Sequence, residues 1–240
     1  MAQILGAIFD CDGTLLDSMQ MWYSAFEELV GRYGLEATKE MQETVEPITL
    51  PESCAWLHET YGIGESGPAL NEELISWVRH EYATNVAEMP GARAMVEELH
   101  EAGVPMIIAT STSSAEVREA LAVHGLDQYF IDVVCTAEVR DGRDKDFPDV
   151  YLEALERLGT PLEHTWVFED APFGVQTSRK AGFHVVGIHN DHDGRDEAAV
   201  RPWADIFSEN YEGVSLAAIR AYGDCLNVFL LIWMHQKRTG

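Results

Sequence analysis

Two aspartates separated by one residue close a short apolar run: Ile4 to Phe9 leads directly into Asp10-Cys11-Asp12-Gly13-Thr14. A brief apolar stretch that stops at a glycine is the pattern of a buried strand. Side chains alternate along a strand, so Asp10 and Asp12 project to one side while extended geometry lasts, and Cys11 points the other way, into the core. Carboxylates held that close persist only with a cation between them or a proton on one of them. Either state suits chemistry, with Asp10 attacking a phosphorus centre and Asp12 handing a proton to the departing oxygen. The plainer alternative is a solvated strand-to-turn junction, where Asp and Gly are common. A calcium loop fails on spacing, because with Gly13 in the turn position its first and twelfth ligands would be Ile8 and Met19. A cysteine phosphatase needs an arginine six residues after its nucleophile. Asp17, Thr60, Asp141 and Leu231 stand there instead.

The remaining elements show what positions this pair. Residues 15–88 read as helical throughout. Asp17 or Ser18 can cap a first helix with Trp22, Phe26, Leu29, Val30 and Tyr33 at helical spacing, and Lys39 to Glu46 is a short segment. Pro51 opens a further helix that stops at Gly62, and Pro68 to Ala87 gives a longer one. From Met89-Pro90-Gly91 onward, helices (92–102, 114–124, 149–158, 172–181) alternate with strands (105–109, 131–135, 165–168, 184–188). That alternation predicts an α/β fold, a doubly wound parallel sheet covered on both faces. The first strand belongs to the sheet. The chain therefore divides into a core of residues 1–14 and 89–224, an inserted helical domain at 15–88, and a tail at 225–240.

Ligands of open parallel sheets bind beyond the carboxyl ends of the strands. By that rule Asp10 and Asp12, then Thr110, Ser111 and Thr112, then Lys145 in a charged loop, then Glu169 and Asp170 meet at one crevice. Asp10, Asp12 and Asp170 make a hard-oxygen site of the kind magnesium prefers. Thr110, with amides at the start of helix 114–124, can grip phosphate oxygens, and Lys145 supplies positive charge to a phosphoryl group.

Composition narrows the partners. Forty-one acidic residues against 16 basic ones give a net charge of −25. This disfavours nucleic acid, whose binding rests largely on Lys and Arg neutralising phosphates. A phosphate site in such a chain must carry its own local positive charge. The four cysteines show no CxxC pairing, which suits a reducing cytoplasm. No signal peptide is apparent. The most membrane-like stretch, Val228 to Met234, is far short of the about 20 residues a span needs, so no membrane partner is expected.

Taken in order, these segments resemble the haloacid dehalogenase superfamily, in its phosphatase and phosphomutase branch, over roughly residues 4 to 210. Asp10-Cys11-Asp12-Gly13-Thr14 is similar to the first motif and Ile108-Ala109-Thr110-Ser111 to the second. Lys145 to Tyr151 is similar to the third, with Asp146 where proline is usual, and Val167-Phe168-Glu169-Asp170, with Gly174, to the fourth. The helical insertion resembles the C1 cap. The resemblance implies a nucleophilic Asp10 that forms an aspartyl-phosphate. It makes Asp12 the acid toward the leaving alcohol and then the base toward water. Thr110, Lys145 and, beside them, Ser111 bind the phosphoryl group. It implies Mg²⁺ held by an Asp10 oxygen, the Asp12 main-chain carbonyl, Asp170 and Glu169. The cap would close over a small phosphorylated metabolite and carry specificity. The expected molecule is a cytoplasmic phosphatase acting as a monomer or weak homodimer.

Several neighbours in function fit less well. Dehalogenases lack the second aspartate. Phosphonatases use a cap lysine, and the insertion offers Lys39 alone, near a helix start. A β-phosphoglucomutase shares all four motifs but uses a histidine soon after the first, and Asp17 to Trp22 contains none. A phospho-receiver module would place its phosphoacceptor after a later strand, where Val134-Cys135-Thr136 stands. A catalytically silent phosphate-binding protein would share the fold. The segment His189 to Asp193 lacks the spacing of a calcium loop and reads as solvated.

Overall fold

The computed structural model describes residues 4–45, 48–189 and 196–222. Cys225, the 225–240 tail with its apolar stretch, and Asn190, His192 and Asp193 of the segment read as solvated lie outside these, whereas His189 of that segment is a buried strand residue. The described residues divide into two compact units, Ser18–Ala87 and the two stretches flanking it.

The flanking stretches form a six-stranded parallel sheet in the order β3-β2-β1-β4-β5-β6. Its strands are β1 (Gly6–Phe9), β2 (Met106–Thr110), β3 (Phe130–Cys135), β4 (Thr165–Glu169), β5 (His184–His189) and β6 (Ile206–Glu209). Every residue of β1, β2 and β4 is buried, because helices cover both faces. On one face Ile8, Ile107, Val134 and Val167 pack with Val150, Tyr151 and Ala154 of helix α7 (Asp149–Leu158) and with Phe183. Elsewhere Phe9 stacks on Phe168 at 4.2 Å between ring centroids, and Val185 packs with Val175 of α8 (Pro172–Ala181) and with Val200. α8 opens on a proline and stops at Gly182 in the left-handed region (φ 101°). These are the usual punctuation marks of a helix. The strand order reverses between β1 and β4, which opens a crevice at their carboxyl ends. Strand β6 was not anticipated. Its four residues, Ile-Phe-Ser-Glu, follow Pro202 too closely to carry an alternation of their own.

The inserted unit is helical: α1 (Met19–Gly31), α2 (Lys39–Val45), α3 (Leu50–Tyr61) and α4 (Gly67–Thr84). At the start of α3 the Thr49 amide donates to Glu52 Oε2 at 2.9 Å, a capping-box contact, and Gly62 ends the helix at φ 65°. In α4, Leu70, Leu74, Val78 and Tyr82 recur every fourth residue on the buried face. In α1 the buried positions are Met21, Ala25, Leu29 and Val30, with Trp22 and Phe26 half-buried and Tyr33 exposed. The helix is thus turned about one residue from the face that its aromatics suggest. Tyr33 instead donates to Glu73 of α4 at 2.7 Å.

At the rim of the sheet opposite the crevice, Asp205 collects donors. Its Oδ1 accepts from Tyr222 at 2.7 Å and pairs with Arg179 at 3.1 Å. Its Oδ2 accepts from the Val185 amide at 2.9 Å, with His184 Nδ1 at 3.4 Å. Burial opposes its charge, but these partners outweigh burial and hold its pKa below the usual carboxylate range. A depressed native pKa stabilises the fold above the unfolded-state value, and that stability is lost as pH falls through the native one. Asp205→Asn is expected to cost ~2 kcal/mol at pH 7, the worth of a charge-assisted bond. In urea titrations the gap to wild type is expected to close below about pH 4. A gap that stays constant to pH 3 would refute the assignment.

Cys11, Cys54 and Cys135 are buried free thiols, and burial pushes Cys54 up to about 11. No described helix is long and apolar enough to cross a membrane.

Candidate active site

β1 and β4 deliver the acidic groups side by side. Phe9 lies opposite Phe168 in register, and the Asp10 amide continues the ladder by donating to Phe168 O at 2.9 Å. Past Asp10 the chain turns. Gly13 adopts φ 80°, and the amides of Leu15 and Leu16 both donate to the Cys11 carbonyl. Asp10 and Asp12 therefore share an end of the sheet rather than a continuous strand face. One ligand oxygen each from Asp10, Glu169 and Asp170 lies within 4.8 Å of the others, and all three residues are buried.

Lys145 enters this acidic pocket with 2% of its side chain exposed. Its Nζ sits 2.6 Å from Asp10 Oδ1 and 2.9 Å from Glu169 Oε2. Burial lowers its pKa, but the two carboxylates outweigh that and raise it above the ordinary lysine value. Asp10 is pushed well above the usual carboxylate range by burial and by Glu169, against the pull of Lys145. Three buried carboxylates facing one ammonium leave the cluster short of positive charge. That deficit, with an all-oxygen donor set, fits a hard divalent cation. The chain's own groups that would hold it are the carboxylates of Asp10, Asp170 and Glu169.

The supporting contacts are specific. Glu169 Oε2 also accepts from Tyr151 OH at 2.9 Å, and Oε1 from the Ala171 amide at 3.2 Å. Asp170 Oδ1 accepts from the Thr14 hydroxyl at 2.8 Å, and the Thr14 carbonyl accepts from Tyr211 OH at 3.0 Å. At Gly174 a Cβ would lie 2.6 Å from Tyr151 Oη and 2.7 Å from Glu169 Cδ, so only glycine lets α8 come this close. At the end of β2, Thr110 is buried and its Oγ1 accepts from the Thr112 amide at 3.1 Å, so its own proton is directed elsewhere. Ser111 donates to Asp144 Oδ1 at 2.5 Å, and that same oxygen accepts the Lys145 amide at 2.7 Å. Thr112 Oγ1 donates to Asp12 Oδ2 at 2.7 Å.

Of the residues singled out from sequence, Asp10, Lys145, Glu169 and Asp170 meet directly. Asp12 points its Oδ2 to Thr112, outside the three-carboxylate cluster, and Ser111 spends its hydroxyl on the Asp144 loop. The roles of Tyr151, Thr14 and Asp144 escaped sequence reasoning. Tyr151 closes the segment similar to the third motif, which assigns its hydroxyl no role, although a buried phenol usually finds a partner for its hydroxyl.

The fold and site define an α/β protein with a doubly wound sheet, whose buried carboxylates and lysine gather at the switch point. The chain belongs to the haloacid dehalogenase-like hydrolase family, whose model matches residues 7–188. It is 29% identical over 190 residues to the phosphorylated carbohydrates phosphatase of Thermotoga maritima, covering 78% of this chain and 87% of that protein. It is 33% identical over 189 residues to the fructose-1-phosphate phosphatase YqaB of Escherichia coli, covering 76% and 95%. The β-phosphoglucomutase of Clostridium difficile shares the fold, with a TM-score of 0.70 at 18% identity over 94% of this chain and all of that one.

Proposed function

We propose that the protein is a magnesium-dependent phosphatase that hydrolyses a small, sugar-phosphate-like monoester through an aspartyl-phosphate on Asp10. The observation that carries this is the buried meeting of Asp10, Glu169 and Asp170 around Lys145. The names of the relatives support the substrate class.

In the first step an Asp10 carboxylate oxygen attacks phosphorus. The bond from phosphorus to the ester oxygen breaks, its electron pair leaves with that oxygen, and Asp12 gives the oxygen a proton. In the second step water attacks the same phosphorus, Asp12 takes a proton from it, and the Asp10 carboxylate is released with inorganic phosphate. Lys145 and the hydroxyl of Thr110 bind the phosphoryl oxygens as charge gathers on them. A bound Mg²⁺ would supply further neutralisation of that charge. Glu169 and Tyr151 keep Lys145 in place while this happens.

Purified protein is expected to release phosphate from p-nitrophenyl phosphate and from part of a sugar-phosphate panel with magnesium, and to stop on chelation. Interconversion of β-glucose 1-phosphate and glucose 6-phosphate without phosphate release would place it among the mutases. No turnover of any panel member would leave a silent phosphate-binding protein.

A further inference from the structure

We infer that Thr112 is a positioning residue for proton transfer, holding Asp12 in register with the phosphoryl grip of Thr110. The inference rests on the phosphatase reading above and goes beyond it, since Thr112 touches neither the cation cluster nor the phosphorus.

Three consecutive hydroxyl residues leave the end of β2, and each is committed differently. Thr110 accepts the Thr112 amide, Ser111 holds the Lys145 loop through Asp144, and Thr112 donates to Asp12 Oδ2 at 2.7 Å. The last bond joins residues 100 positions apart, and it ties the loop after β1 to the turn that leads into α6 (Ser114–Val123). Asp12 sits past the end of β1, in the turn that Gly13 makes, where its backbone leaves the sheet for an isolated bridge to Leu16 and its carboxylate meets Thr112. Its work is directional, because a proton must pass to the leaving oxygen and later come back from water along a short line. A displacement of about 1 Å in such a group costs on the order of 10²-fold in rate. Thr112 pins one carboxylate oxygen, and its own amide is anchored on Thr110. The group that exchanges the proton is thereby tied to Thr112, which a single residue separates from the Thr110 that holds the phosphoryl oxygens.

The test separates proton delivery from everything else by the leaving group. An alkoxide needs Asp12's proton as it departs, whereas nitrophenolate leaves nearly unaided. The quantity to read is kcat/KM, which reports steps up to the first irreversible one. Thr112→Val keeps the amide bond to Thr110 and the side-chain volume. It is expected to lower kcat/KM for the best sugar phosphate of the panel by about 10- to 100-fold, part of what a positioned acid contributes. For p-nitrophenyl phosphate the fall is expected to stay within about threefold, since that ester draws little on the acid. Thr112→Ser restores the hydroxyl and is expected to recover the sugar phosphate rate. Equal losses on both substrates, no loss on either, or no recovery with serine would overturn the assignment while the phosphatase reading stood. A wild-type protein without magnesium-dependent phosphate release would overturn both.

Discussion

Asp10→Asn is expected to cut phosphate release by on the order of 10⁴-fold or more, the scale seen when a covalent nucleophile is removed. The amide matches the carboxylate in size but cannot form the acyl-phosphate. Folding should survive, because the substitution relieves crowding. Two carboxylates, Glu169 and Asp170, then remain beside the Lys145 ammonium in place of three. The check is a pair of measurements on one preparation: phosphate release with magnesium, and trapping of acid-stable, base-labile phosphoprotein after brief exposure to labelled substrate. Wild type should show both signals and the variant neither. Turnover that persists in the variant would end the nucleophile assignment.

Lys145→Met is expected to damage stability and rate together. Breaking a buried charge arrangement by removing one partner typically costs about 3–5 kcal/mol. Here the ammonium bridges Asp10 at 2.6 Å and Glu169 at 2.9 Å with almost no exposure to water. Loss of one preorganised donor to the developing phosphoryl charge adds a fall of about 10²–10³-fold in kcat. The variant should also lean harder on added cation, which would be the main positive charge left among these carboxylates. Urea titrations with and without magnesium should therefore show a larger stabilising shift in the variant than in wild type. Equal shifts would mean that Lys145 and the cation do not share the cluster.

Much of this was legible in the chain because the strands announce themselves. β1, β2 and β4 are wholly buried, so each is a short, nearly unbroken apolar run, and the residues just after each run must lie at the crevice. That reasoning placed Asp10, Thr110, Glu169 and Asp170 without any coordinates. Lys145 was harder, since it sits in an irregular loop, and its motif marked it rather than any periodicity. Less was legible where a side chain's partner comes from a distant segment. Nothing local in Tyr151 or Thr14 says that their hydroxyls seek Glu169 and Asp170. The face of α1 was misjudged for a related reason, because Trp22 and Phe26 draw the eye while the smaller Met21 and Ala25 take the buried positions. The inserted unit was expected to begin at residue 15, yet Leu15 and Leu16 stay with the sheet. Leu15 O accepts the Met89 amide at 2.8 Å, and Leu16 bridges to Glu88. Long-range pairing of that kind leaves no mark on either segment alone.

The bond from Tyr211 to the Thr14 carbonyl gives the end of the sheet a part in events at its centre. Tyr211 stands just past β6, beyond every recognised signature of the chain, and through Thr14 it steadies Asp170. A shortened version ending after β5 would keep all four motifs and pass any search for them. It would nonetheless have lost the strut that keeps the first loop seated, so an intact signature is no guarantee of an intact machine.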